Sequence, residues 1–103
     1  MSNFSYLTNK GKEYIGNQRN IIIVNPTIIM LPKKQSNGTK ISLYNETNKI
    51  VVVDSNSKTD LIYSQFFAPK GKNQVYINPN RKVDLVYIIN TITKLGKWYL
   101  AIN

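Results

Sequence analysis

The stretch Lys82-Val83-Asp84-Leu85-Val86-Tyr87-Ile88-Ile89-Asn90 constrains this chain more than any other. Side chains alternate along an extended strand, so Val83, Leu85, Tyr87 and Ile89 share one face while Asp84, Val86, Ile88 and Asn90 share the other. The first face is wholly apolar. The second runs from an acid through two branched aliphatics to an amide, which predicts a central strand covered on both sides for most of its length. A shorter echo, Lys97-Trp98-Tyr99-Leu100-Ala101-Ile102, closes the sequence, with Trp98 expected in the core or at its edge over the longer strand. The cover of Val86 and Ile88 is either a second sheet or a neighbouring subunit.

From Asn20 onward, short apolar segments are separated by turn residues at about ten-residue intervals, the pattern of a sandwich or barrel. Asn20 to Val24 and Thr27 to Leu31 read as strands broken by Asn25-Pro26 and by Pro32. The Asn37-Gly38 step, which takes positive φ at low cost, leads into Thr39 to Asn45. There Ile41 and Leu43 are expected inward, Ser42 and Tyr44 outward. Glu46-Thr47-Asn48 then predicts a hairpin into Lys49 to Asp54, the most β-branched run of the chain. Asp60 to Ser64 and Gln74 to Asn78 read as further strands, and Gln65 to Lys72 as an irregular segment packed by Phe66 and Phe67. No window carries a helical apolar period.

Residues 1–19 differ, with few apolar residues and glycines at Gly11 and Gly16. They read as an arm, either docking on a neighbour or disordered, with a short helical turn around Lys12 to Ile15. The expectation is therefore an all-β chain: an arm over 1–19 and, over 20–103, a single antiparallel β-sandwich or jelly-roll-like domain of about eight short strands.

Composition narrows the chemistry. The chain of 103 residues is long enough for one core and has neither cysteine nor histidine. Disulfides, thiolate metal sites and the commonest general base are thus all missing. Met1 to Leu7 holds no signal-type apolar segment and no run approaches a bilayer span, so a soluble product without membrane insertion is expected. Glu13, Glu46 and Asp84 fall in an arm, a turn and a strand, with no pairing of the kind a glycosidase needs. Asp54 and Asp60 flank an oxygen-rich loop, yet the spacing fits no calcium loop and Lys58 interrupts it. Neither a catalytic residue, a metal site nor a cofactor is expected, and Asn3-Phe4-Ser5, Asn37-Gly38-Thr39 and Asn45-Glu46-Thr47 read as chance sequons.

Fourteen Lys and Arg against five Asp and Glu give a net charge of +9, which favours anionic surfaces of any kind. No block of like charge concentrates it, and an A/T-rich genome, suggested by the abundance of Asn, Ile, Lys and Tyr, would raise lysine whatever the partner. A solvated surface and a binding face both remain open.

The words Ile28-Ile29-Met30-Leu31-Pro32, Gly38 to Asn45, Ile50-Val51-Val52-Val53, Asp60-Leu61-Ile62, Val83 to Tyr87 and Trp98-Tyr99-Leu100 resemble, in that order, the small β-sandwich modules of tailed-phage head fibres, capsid-decoration proteins and tail fibres. Tyr63-Ser64 depart from that pattern, where a glycine often stands. The resemblance implies a non-enzymatic virion structural protein, assembled in the host cytoplasm, bound to other virion proteins and commonly homotrimeric. A host surface glycan or receptor is the alternative partner, and a small basic nucleic-acid-binding barrel stands behind both. Candidate binding residues are Lys33, Lys34, Tyr44, Tyr63, Phe66, Phe67, Tyr76 and Tyr99. Tyr44, Tyr63, Tyr76 and Tyr99 near Lys40, Lys72 and Lys97 can stack bases as an OB-fold does, but tyrosine also suits a subunit interface, and the interface is preferred here over nucleic acid.

Overall fold

The computed structural model describes residues 4–102. Among these are eleven strands and no helix. The first six strands alternate between two sheets: β1 (Ser5–Leu7), β3 (Asn20–Ile23) and β5 (Lys40–Asn45) lie in one, and β2 (Gly11–Tyr14), β4 (Thr27–Met30) and β6 (Val51–Asp54) in the other. Within each sheet these three strands run parallel. Ser5 pairs with Ile21 and Gly11 with Thr27, so the first two passes share one register step in both sheets. The chain thus winds as a short two-sheet coil before its topology changes.

The remaining strands close the fold. β7 (Ile62–Ser64), β8 (Ala68–Lys72), β10 (Lys82–Ile89) and β11 (Gly96–Ile102) complete a seven-stranded sheet of order β1-β3-β5-β10-β11-β7-β8. β9 (Gln74–Ile77) completes a four-stranded sheet of order β2-β4-β6-β9. Asn73 alone separates β8 from β9, so one nearly continuous segment leaves the first sheet and enters the second.

One core lies between the sheets. Ile21, Ile23, Ile41, Leu43, Ile62, Val83, Leu85, Tyr87 and Trp98 from the larger meet Ile29, Val51, Val53, Val75 and Ile77 from the smaller. Burying each such side chain contributes roughly 1.5–3 kcal/mol. The ion pairs of Lys40 and Lys82 with Asp84, at 3.9 and 3.7 Å and partly exposed, contribute about 0–1 kcal/mol each. Apolar burial therefore holds the sheets together.

Several sequence expectations change. The antiparallel domain of about eight strands is replaced by two mixed sheets of eleven. The arm contributes edge strands to both sheets, and the residues expected as a helical turn include β2, with Ile15 buried just beyond it. Lys12 and Glu13 place charges on that edge, which blunts it against further strand pairing.

The hairpin from Thr39 to Asp54 is an arch. Its turn falls where expected, but β5 pairs with β3 and β10 while β6 pairs with β4 and β9. Asn45 explains the crossing. Its buried amide donates to the carbonyls of Lys49, Ile77 and Asn78, and its Oδ1 accepts from the amide and hydroxyl of Thr47. This corner satisfies backbone groups that a same-sheet hairpin would have paired.

Within the chain, β10 is covered on one face and not on both as its sequence predicts. Val83, Leu85 and Tyr87 face the core, whereas Val86 is half-buried and Ile88 exposed on the outside of the larger sheet. Among the described residues no second sheet covers that face.

Candidate functional site

Two surfaces gather the candidate residues, and the β7–β8 turn builds the first. Ser64 and Ala68 are both buried and paired across the strands, so the intervening Gln65, Phe66 and Phe67 are pushed outward. The Phe67 amide donates to Ser64 Oγ at 3.4 Å, which tightens the turn. Phe66 is 82% exposed and Phe67 62%. This corrects the expectation that these aromatics pack their own segment.

Beside them, β8 and β9 diverge from Asn73 and leave a groove of about 280 Å³, lined by Phe67, Lys72, Gln74, Val75, Tyr76, Asn78 and Leu100. A second hollow of about 380 Å³, sharing Phe67 and Leu100 with the first, is lined also by Ser64, Gln65, Phe66 and Ala101. Three of the predicted residues, Phe66, Phe67 and Tyr76, therefore meet at one apolar tip.

The outer face of the larger sheet is the second surface. Strand register sets its rows: Tyr6, Ile22, Tyr44 and Lys82 stand abreast, and so do Lys40, Val86, Tyr99 and Tyr63. Lys82 Nζ lies 5.4 Å from the Tyr44 ring centre, and Lys97 Nζ lies 4.7 Å from that of Tyr63. Phe4 meets the Tyr44 ring edge-on at 5.9 Å, and Tyr63 and Tyr99 are 6.1 Å apart. The Tyr63 ring lies flat across Gly71, where a β-carbon would approach its Cζ to 2.6 Å, so glycine makes room for the ring.

No family model, curated protein or solved structure matches this chain. Its chemistry is therefore read from its own residues. Lys33 and Lys34 stand apart from the tip: their loop lies at the end of the molecule opposite Phe66, as the strand directions require. Lys33 lines a polar hollow with Met30, Asp54, Asn56, Ser57, Lys58 and Asn73. There the Asp54 carboxylate accepts from the Asn56 amide and from Gln74 Nε2.

Asp60 accepts the Tyr87 hydroxyl at 2.5 Å. Burial first, then this hydrogen bond and the nearby negative charge, push the Tyr87 phenol up from 10.0 to about 12. Among the described residues no three His, Cys, Asp or Glu side chains cluster as a metal site would require.

Leu100, Gln74 and Asn78 in the groove and Lys82 on the outer face carry no signal of their own in the sequence, whereas Lys40, Lys72 and Lys97 stand among the lysines expected near tyrosines. Alternation along a strand shows which way each residue points but not which strand lies beside it. Lys40 and Lys97 share a face only because β5, β10 and β11 are neighbours.

Proposed function

We propose that the chain is a small structural subunit of a virion, a capsid-decoration or head-fibre protein folded as a β-sandwich, which binds other proteins of the particle and performs no catalysis. The observation that carries the binding role is the Phe66-Phe67 tip. Two adjacent phenylalanines in water forgo roughly 1.5–3 kcal/mol each relative to burial. Their presentation beside an apolar groove is the hallmark of a protein contact. The virion setting draws on the order of hydrophobic words along the sequence, and a homotrimer belongs to the same reading.

Mechanistically, the tip seats on a neighbouring protein of the particle, with Phe66 and Phe67 as anchors. The loop at Lys33 to Gly38 and the loop at Ser55 to Thr59 then point to the opposite end, free for a further contact. Mass spectrometry of purified particles from the virus encoding the chain tests this reading. The chain is expected among the particle proteins, and its absence from them refutes the proposal. Light scattering of the isolated chain is expected to give about three times the 11.8 kDa monomer mass.

One feature favours host attachment as a second reading. Asn78 lines the groove with Phe67 and Tyr76, as does Gln74, whose Nε2 donates to Asp54. Aromatic rings with adjacent amides suit a sugar, whose apolar face stacks while its hydroxyls hydrogen-bond. Chemical-shift changes confined to these residues on titration with host surface glycans would support it, and a spectrum unmoved by them would reject it.

A further inference from the structure

We infer that the outer face of the seven-stranded sheet binds single-stranded nucleic acid. Tyr44 and Tyr99 supply ring surface for unpaired bases, Tyr63 packs beside Tyr99 between Gly71 and Lys97, and Lys40, Lys82 and Lys97 meet the phosphates. These six residues come from β5, β7, β10 and β11, four adjacent strands spanning about 14 Å. Base stacking on aromatic rings combined with a basic surface is the physics of sequence-tolerant single-strand binding.

Charge decides between this partner and others. Interfaces between proteins are depleted of lysine at their centres, whereas here lysines stand among the tyrosines. A second copy seated on this face would bring like charges together. Asp84 is the acid within the face, and it is engaged by the Ser42 hydroxyl at 2.6 Å as well as by Lys40 and Lys82. Glu46 sits at the rim, beside Arg81. With a chain charge of +9, the field favours a polyanion. An anionic lipid surface would satisfy the lysines but offers no planar groups to the rings.

The inference uses a surface separate from the Phe66-Phe67 tip and stands or falls independently of the virion reading. Its test is fluorescence anisotropy of end-labelled oligothymidylate, alone and annealed to oligoadenylate, titrated with the full chain over a salt series. The single strand is expected to bind. Three lysine contacts predict a log–log salt slope of about −2, from about −0.7 per phosphate.

Lys40→Gln, Lys82→Gln and Lys97→Gln together are expected to flatten that slope. Tyr99→Leu is expected to weaken binding roughly tenfold with the slope retained. The buried Trp98 reports that each variant is folded. Equal affinity for the duplex, binding that the lysine and tyrosine changes leave untouched, or no binding at low salt would each overturn the inference. So would light scattering in which these changes split an oligomer, since the face would then be a protein interface.

Discussion

Tyr87 donates its hydroxyl proton to Asp60 at 2.5 Å, joining the middle of β10 to the loop before β7. The ring also meets Trp98 edge-on at 5.0 Å, so a polar tie and an aromatic contact converge on one buried residue. The raised phenol sets the direction of a pH effect. A group whose folded pKa of about 12 exceeds its ordinary 10.0 adds stability below pH 10.0, and that stability is lost as pH rises through 12. Urea unfolding across this window should show wild type losing stability faster than Tyr87→Phe. At neutral pH the variant should be weaker by about 1.5–3 kcal/mol, the usual worth of a hydrogen bond to a charged group. Parallel alkaline profiles for the two proteins would disprove the coupling.

Gly96 sits under the same ring. A β-carbon there would overlap the Tyr87 hydroxyl and ring, so Gly96→Ala must displace either Tyr87 or the start of β11. The expected loss is about 1–3 kcal/mol, as for other overpacked sites, read from the urea midpoint with an unchanged slope. A midpoint equal to wild type would mean that Tyr87 does not lie over this strand.

Asn45→Ala should be among the most damaging polar substitutions. It removes the donor to three carbonyls and the acceptor for Thr47 in a corner where Asn45 is 1% exposed. Unsatisfied buried groups cost about 1–3 kcal/mol each, so a total loss of about 3 kcal/mol or more is expected in chemical denaturation. Asn45→Asp should fare no better, because a carboxylate cannot donate to those carbonyls. Near-wild-type stability of either variant would contradict the arch.

Deleting residues 1–19 separates the observed fold from a detachable arm. The deletion uncovers the edges of β3 and β4 and removes Ile15 from the core, so a lowered melting temperature and concentration-dependent aggregation are expected in a thermal melt followed by scattering. A dispensable arm would leave the melt unchanged.

Much of the strand content was legible. The alternation in β5 and β10, the β-branched run of β6 and the burial of Trp98 all follow from local pattern, because period-two alternation and core burial are properties of a segment and its faces. Pairing is not such a property. The alternation of Leu43 and Val51 does not say whether β5 and β6 pair with each other or part into two sheets; that is set by their partners in the fold and by the corner at Asn45. Strands β1 and β2 escaped notice because three residues are too few to show alternation in β1, and a glycine with two charges leaves β2 without the apolar density that marks a covered strand. Phe66, Phe67 and Tyr76 were legible as binding candidates, but not their exposure together, which depends on the pinning of Ser64 and Ala68 on either side of the turn. The tyrosine-lysine face was half visible: the residue types were evident, but their assembly required the order of four strands.

The account rests on the Phe66-Phe67 tip as the point of attachment. Its most direct test is to supply Phe66→Ser with Phe67→Ser to cells producing the particle and to quantify the chain in purified particles by mass spectrometry. Both residues are exposed, so the variant should fold with wild-type urea stability. The account predicts that wild type is carried on the particle while the folded double variant is left in solution. Equal incorporation of the two, or incorporation of neither, would contradict it.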